Sequence, residues 1–128
     1  MWTCHRKLSI SVCVTVGLIS GCKNGATSHP YTAEHRDSAN RGRAAIIAYR
    51  CGDCHTIPGV SSAKGVFGPP LNSLSRRTYI GGNFPNTMDN LVGWVMSPQT
   101  MKPGTAMPVL GLSEPQARDI ATYLDTLK

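Results

Sequence analysis

Residues 51–55 read Cys51-Gly52-Asp53-Cys54-His55, and this pentapeptide decides what the rest of the chain must be. Two cysteines three positions apart on a helical turn point the same way. A histidine follows at once. The spacing is the C-x-x-C-H of covalent c-type haem attachment. The two thiols can add to the two vinyl groups of one porphyrin, and the imidazole of the next residue is carried beneath the ring to the iron. Three other readings use the same residues. A thioredoxin-like redox pair needs a strand–helix–strand pattern, and none is visible. Half a zinc site needs more ligands, yet no second cysteine pair follows, and His29 and His35 stand in a polar stretch upstream. A structural disulfide is the third.

The residues around the motif are mostly loop. The chain has 128 residues, of which 13 are Gly and 9 are Pro, and 41% are hydrophobic. That allows one small domain with a modest core. No run of 18 apolar residues suggests a membrane-spanning helix. Asp37 or Ser38 can cap a first helix that runs through Ala44, Ala45, Ile47 and Ala48 toward Cys51. Residues 56–86 are too rich in Gly and Pro for a useful helix and show little strand pattern. Thr87 opens a second helix with Leu91, Val92 and Val95 on its apolar side, and Pro98 stops it. Gln99–Gly111 reads as loop. Ser113-Glu114-Pro115-Gln116 is a capping box with Pro in the first turn. Ile120, Tyr123, Leu124 and Leu127 then recur at helical spacing. Three short helices in long loops make a poor core for about ninety residues, so a staple is expected. Something large and apolar should sit in the middle.

The N-terminal 21 residues read as an export signal. Arg6 and Lys7 form a basic start, and Leu8–Ser20 is uncharged and apolar or small, too short to span a bilayer. Leu18-Ile19-Ser20-Gly21-Cys22 resembles the bacterial lipobox, which implies lipidation at Cys22 and cleavage before it. Several acyl chains on one residue give stable anchoring. Removal of residues 1–21 takes away Arg6 and Lys7, so 13 basic residues become 11 against 7 acidic, and the charge falls from +6 to +4. Of five cysteines, Cys22, Cys51 and Cys54 remain. Residues 22–36 are polar, without a period of 2 or 3.6, and read as the lipidated cysteine and a flexible tether. The folded part is read as 37–128.

Beyond the pentapeptide, residues 37–128 resemble the class I monohaem cytochromes c: a helix leading to C-x-x-C-H, then Gly68-Pro69-Pro70-Leu71, a Met107-Pro108 loop and a closing helix. The resemblance implies an all-α domain around one haem c, covalently held through Cys51 and Cys54. It implies His55 as one axial ligand, with the Pro69 carbonyl on its other ring nitrogen. Such a bond fixes the tautomer and raises ligand basicity. Leu71 and Leu74 would wall the haem. Among Met88, Met96, Met101 and Met107, the Met-Pro pair points to Met107 as the second axial ligand, with Met101 the other loop candidate and Met96 read as core. Arg77, Trp94, Tyr79 and Arg76 are the available donors for the propionates; Arg77 and Trp94 are preferred and Arg76 is read as surface. The first and last helices should cross through Gly42, Ile46 and Ile47 against Tyr123 and Leu124.

Residues 90–108 are similar to the cytochrome c domains associated with haem–copper oxidases. Together these features suggest a membrane-tethered one-electron carrier, not an enzyme, on the periplasmic or outer face of a bacterial membrane. Its partners would be a redox donor and acceptor, with a haem–copper oxidase the suggested acceptor, and no nucleic acid. His/Met ligation fills both axial sites and raises the potential. Two alternatives are a permanent subunit of an oxidase or dehydrogenase, and a peroxidase or gas binder should the sixth site be open.

Overall fold

The computed structural model describes residues 30–128. The signal segment 1–21, the lipidation site Cys22, and the tether up to and including His29 lie outside the described residues. Helix α1 spans Pro30–Ala48, α2 Met88–Met96, α3 Pro98–Met101 and α4 Glu114–Asp125. Cys51–Asp53 and Leu74–Arg76 are single 3-10 turns, and β1 (Tyr79–Ile80) pairs antiparallel with β2 (Phe84–Pro85). The fold is therefore all-α apart from one two-residue ladder. Among the described residues no helix is long and apolar enough to cross a membrane.

The frame is the crossing of α1 and α4, and it depends on one missing side chain. A Cβ on Gly42 would stand 1.9 Å from the Asp119 carbonyl oxygen, so only glycine lets the two backbones approach this closely. Ala39 and Ile46 of α1 meet Ala117, Ile120, Ala121 and Leu124 of α4 in the core. On the surface, Arg41 forms a bidentate pair with Asp119 at 2.7 and 2.8 Å, and the Ser38 hydroxyl donates to the same carboxylate at 2.6 Å. Tyr123 carries its hydroxyl past the crossing to the Pro58 carbonyl, 2.7 Å away. Arg43 donates to Gly59 at 2.8 Å. Both long helices thus hold the loop that follows His55.

The local signals at the other helix ends act as expected. Thr87 caps α2 by accepting from the Asn90 amide, and α2 ends at Met96, ahead of Pro98. Gln116 reaches back to the Ser113 amide at 3.0 Å, completing the capping box of α4. Leu91, Val92 and Val95 are buried.

Four expectations need correction. Residues 30–36, read as tether, belong to α1. Pro30 stands at the first helical position, where its missing N–H costs nothing, and none of residues 33–37 is fully buried, so the stretch needs no apolar period. Ile47 is 47% exposed, because the turn that carries Ile46 into the crossing points its neighbour outward. Pro98–Met101 is a helical turn rather than loop. The ladder of β1 and β2 lies in a stretch read as having little strand pattern, and two residues a side are too few to show an alternation.

Candidate functional site

The turn that presents the thiols is made by a sharp exit from α1. Arg50 adopts a left-handed conformation at φ 56°, uncommon for a residue with a Cβ. It reverses the chain directly into Cys51, and its guanidinium pairs with Asp53 at 2.7 Å. The His55 amide then donates to the Cys51 carbonyl at 3.0 Å, closing a helical turn that sets both thiols and the imidazole side by side. Both thiols are free. Burial, above all, pushes the Cys51 thiol up from its ordinary value.

A second loop is laced along this turn. Gly65 donates to Gly52, Gly68 to Cys54 and Leu71 to Thr56, at 2.9, 2.8 and 2.8 Å. The lacing lays residues 65–71 against His55. A Cβ on Gly68 would stand 2.4 Å from His55 Cε1, so the ring rests on bare backbone. The Pro69 carbonyl lies 2.8 Å from His55 Nδ1. A carbonyl only accepts, so Nδ1 carries the proton and Nε2 keeps its lone pair. Arg77 reinforces the same loop, donating to the carbonyls of Pro70 and Asn72.

These elements border a mainly apolar cavity of about 460 Å³, within the range of cofactor sites. Its walls come from Ile46 of α1, Leu91, Trp94 and Val95 of α2, Leu124 of α4, and Leu71 and Leu74 of the intervening loop. Every residue assigned to the site from the sequence borders it: Cys51, Cys54, His55, Pro69, Leu71, Arg77, Trp94 and Met107. Of the four described methionines, Met107 alone does so. Met101 turns its sulfur toward α2, where a Cβ on Gly93 would meet it at 3.2 Å, and Met96 packs against the core. Trp94 packs as well as lines: its ring lies over Gly81 and 6.1 Å from Phe84. Tyr79 also borders the cavity, whereas Arg76 is exposed and outside it.

Two residues escaped the sequence reading. Lys102 borders the cavity and donates to the Gly81 carbonyl at 3.2 Å. Gln99 donates its side-chain amide to the carbonyls of Thr105 and Met107. Neither carries a sequence signal, since a lysine or glutamine reaching a distant carbonyl has no fixed spacing. The cations Arg50, Arg77 and Lys102 border the cavity, and no carboxylate does. Free paired thiols, an imidazole with an available lone pair, apolar walls, a thioether and a cationic border together fit an amphiphilic porphyrin with acidic substituents. Among the described residues no group of three or more His, Cys, Asp or Glu could hold a bare metal ion.

The comparisons agree with this geometry. The chain is 33% identical over 91 residues to cytochrome c oxidase subunit 2 of Alkalihalophilus pseudofirmus, a match covering 70% of this chain and 26% of that protein. The chain thus spans about a quarter of the length of the curated relative it matches. No solved structure matches it. A model of the cytochrome c family matches residues 39–128, from within the helix that crosses at Gly42 to the last residue, and the chain belongs to that family.

Proposed function

We propose that the protein is a membrane-tethered one-electron carrier with His55 and Met107 as axial ligands of a haem c held through Cys51 and Cys54. The observation that carries this reading is that Met107, alone among the described methionines, borders the cavity that contains His55. Haem, when bound, supplies a one-electron ferrous–ferric couple. The chain's own residues do the rest. The Pro69 carbonyl holds the imidazole in the tautomer that leaves Nε2 free to ligate. The apolar walls exclude water. His55 and Met107, both holding the iron, would leave it closed to substrate, which suits electron transfer rather than substrate chemistry.

The tether is the lipid on Cys22, and the domain works at the outer face of a bacterial membrane. Its acceptor is a haem–copper oxidase, a proposal supported by the name of the relative and the similarity of residues 90–108. A second reading, a permanent subunit of such a complex, is favoured by one observation. Val66 and Phe67 are 90% and 77% exposed, and Phe67 borders the cavity. Coulometric titration of the purified holoprotein tests the first reading. Uptake of one electron per chain, followed by reoxidation with a haem–copper oxidase over many turnovers, supports a carrier. Steady consumption of peroxide with an added reductant contradicts it. Stable co-purification of a form lacking residues 1–22 with an oxidase supports the subunit.

A further inference from the structure

Met107 stands on a segment that would be free to swing were it not tied to a neighbouring side chain. Gly104 has φ +82° and no atom within 4 Å of where a Cβ would stand, so glycine is there for its dihedral, not for space. With Pro103 before it and the Thr105 amide donating to the Lys102 carbonyl at 3.2 Å, residues 102–105 fit a type II turn. The turn hands the chain to Thr105-Ala106-Met107 beside the cavity. Helix α3 lies directly ahead of it and carries Gln99.

The Gln99 amide nitrogen has two hydrogens. It donates to the carbonyls on either side of Ala106: that of Thr105, and that of Met107 at 3.1 Å. Only the nitrogen can serve two carbonyls, so the orientation of the amide is fixed. One side chain thereby fixes the backbone of Met107 itself and of the residue two before it. Holding two carbonyls of the bend at Ala106–Met107 at once, this bracket also fixes the rotation of the segment and hence the side to which Met107 presents its sulfur. Lys102 ties the far end of the turn to Gly81.

We infer that Gln99 is the positioning residue for Met107, holding the ligand loop closed over the haem cavity. The inference rests on the reading of Met107 as an axial ligand. Gln99 touches neither iron nor ring in this role; it acts through the Met107 backbone. Because it is exposed and outside the core, its replacement should leave the fold intact.

The test uses ferric holoprotein and imidazole, which can bind only when Met107 leaves the iron. Gln99→Ala removes both donors. Gln99→Glu keeps the shape but sets a carboxylate against two carbonyls. Both should bind imidazole roughly tenfold faster than wild type or more, the effect of losing one to two hydrogen bonds. The ferric Met–iron charge-transfer band should weaken, with the melting temperature nearly unchanged. Met107→Ala should abolish the band. Wild-type imidazole rates and an intact band in both Gln99 variants, in a protein whose band is lost with Met107→Ala, overturn this inference alone. A wild-type protein without the band overturns the ligand assignment, and the inference with it.

Discussion

At the scale of single residues, the site depends on what two positions leave out. Gly68 leaves out a side chain so that the His55 ring can lie on the loop that supplies the Pro69 carbonyl. A methyl there would overlap the imidazole, so Gly68→Ala must move either the ring or the loop. Overpacking of this kind costs about 1–3 kcal/mol. The expected outcome is a lower urea midpoint and a shifted reduction potential, since the ring and its hydrogen bond move together; an unchanged potential would show that ring and loop are not coupled. The other omission is a donor on Met107, whose thioether has no hydrogen to give and only a soft, weakly accepting sulfur, as the proposed ligand role requires. Both features were legible in part. The pentapeptide stands out in the sequence because the chemistry needs those residue types close together, and Gly68-Pro69 and Met107-Pro108 stand out through the family resemblance. The left-handed Arg50 and the Gln99 bracket do not, because nothing local distinguishes an arginine or a glutamine that will adopt them.

At the scale of elements, the crossing of α1 and α4 dominates. Gly42→Ala sets a methyl inside the Asp119 carbonyl, and two packed helices must separate. About 3 kcal/mol is expected, or a melting temperature lower by about 12 °C or more in a domain of this size. The Arg41–Asp119 pair on the same crossing gives a pH signature. Hydrogen bonds from Arg41, and after it Ser38, hold the Asp119 carboxyl below its ordinary value. A depressed carboxyl stabilises the fold above its unfolded value, about 3.9, and that contribution fades as pH falls through the lower folded value. Asp119→Asn should therefore be less stable than wild type at neutral pH, and the two denaturation curves should converge below about pH 4. Parallel curves at all pH values would contradict this. Element ends with side-chain signatures were readable in advance: Thr87, Pro98 and the Ser113–Gln116 box each act within four residues. The start of α1 at Pro30 was not, because that stretch helps extend a helix while packing little of its own surface.

At the scale of the molecule, about a hundred described residues enclose a cavity beside a small core. Ile46, Leu91, Val95 and Leu124 belong at once to the helix packing and to the cavity wall. The wall is thus complete only when something apolar fills it, as the loop-rich composition implied. Replacing both Cys51 and Cys54 by Ala should release the cofactor and leave most of the far-ultraviolet helical signal lost, because the ligand that stabilises only the folded state is gone. Retention of a cooperative, fully helical fold without the cofactor would show that the helices suffice alone. Optical spectra of the holoprotein with and without carbon monoxide show whether the iron is closed between His55 and Met107, as proposed. Sharp low-spin ferrous bands that carbon monoxide leaves unchanged are expected, with a Met–iron charge-transfer band in the ferric form. High-spin bands, or ready binding of carbon monoxide, would contradict it and mark the iron as open.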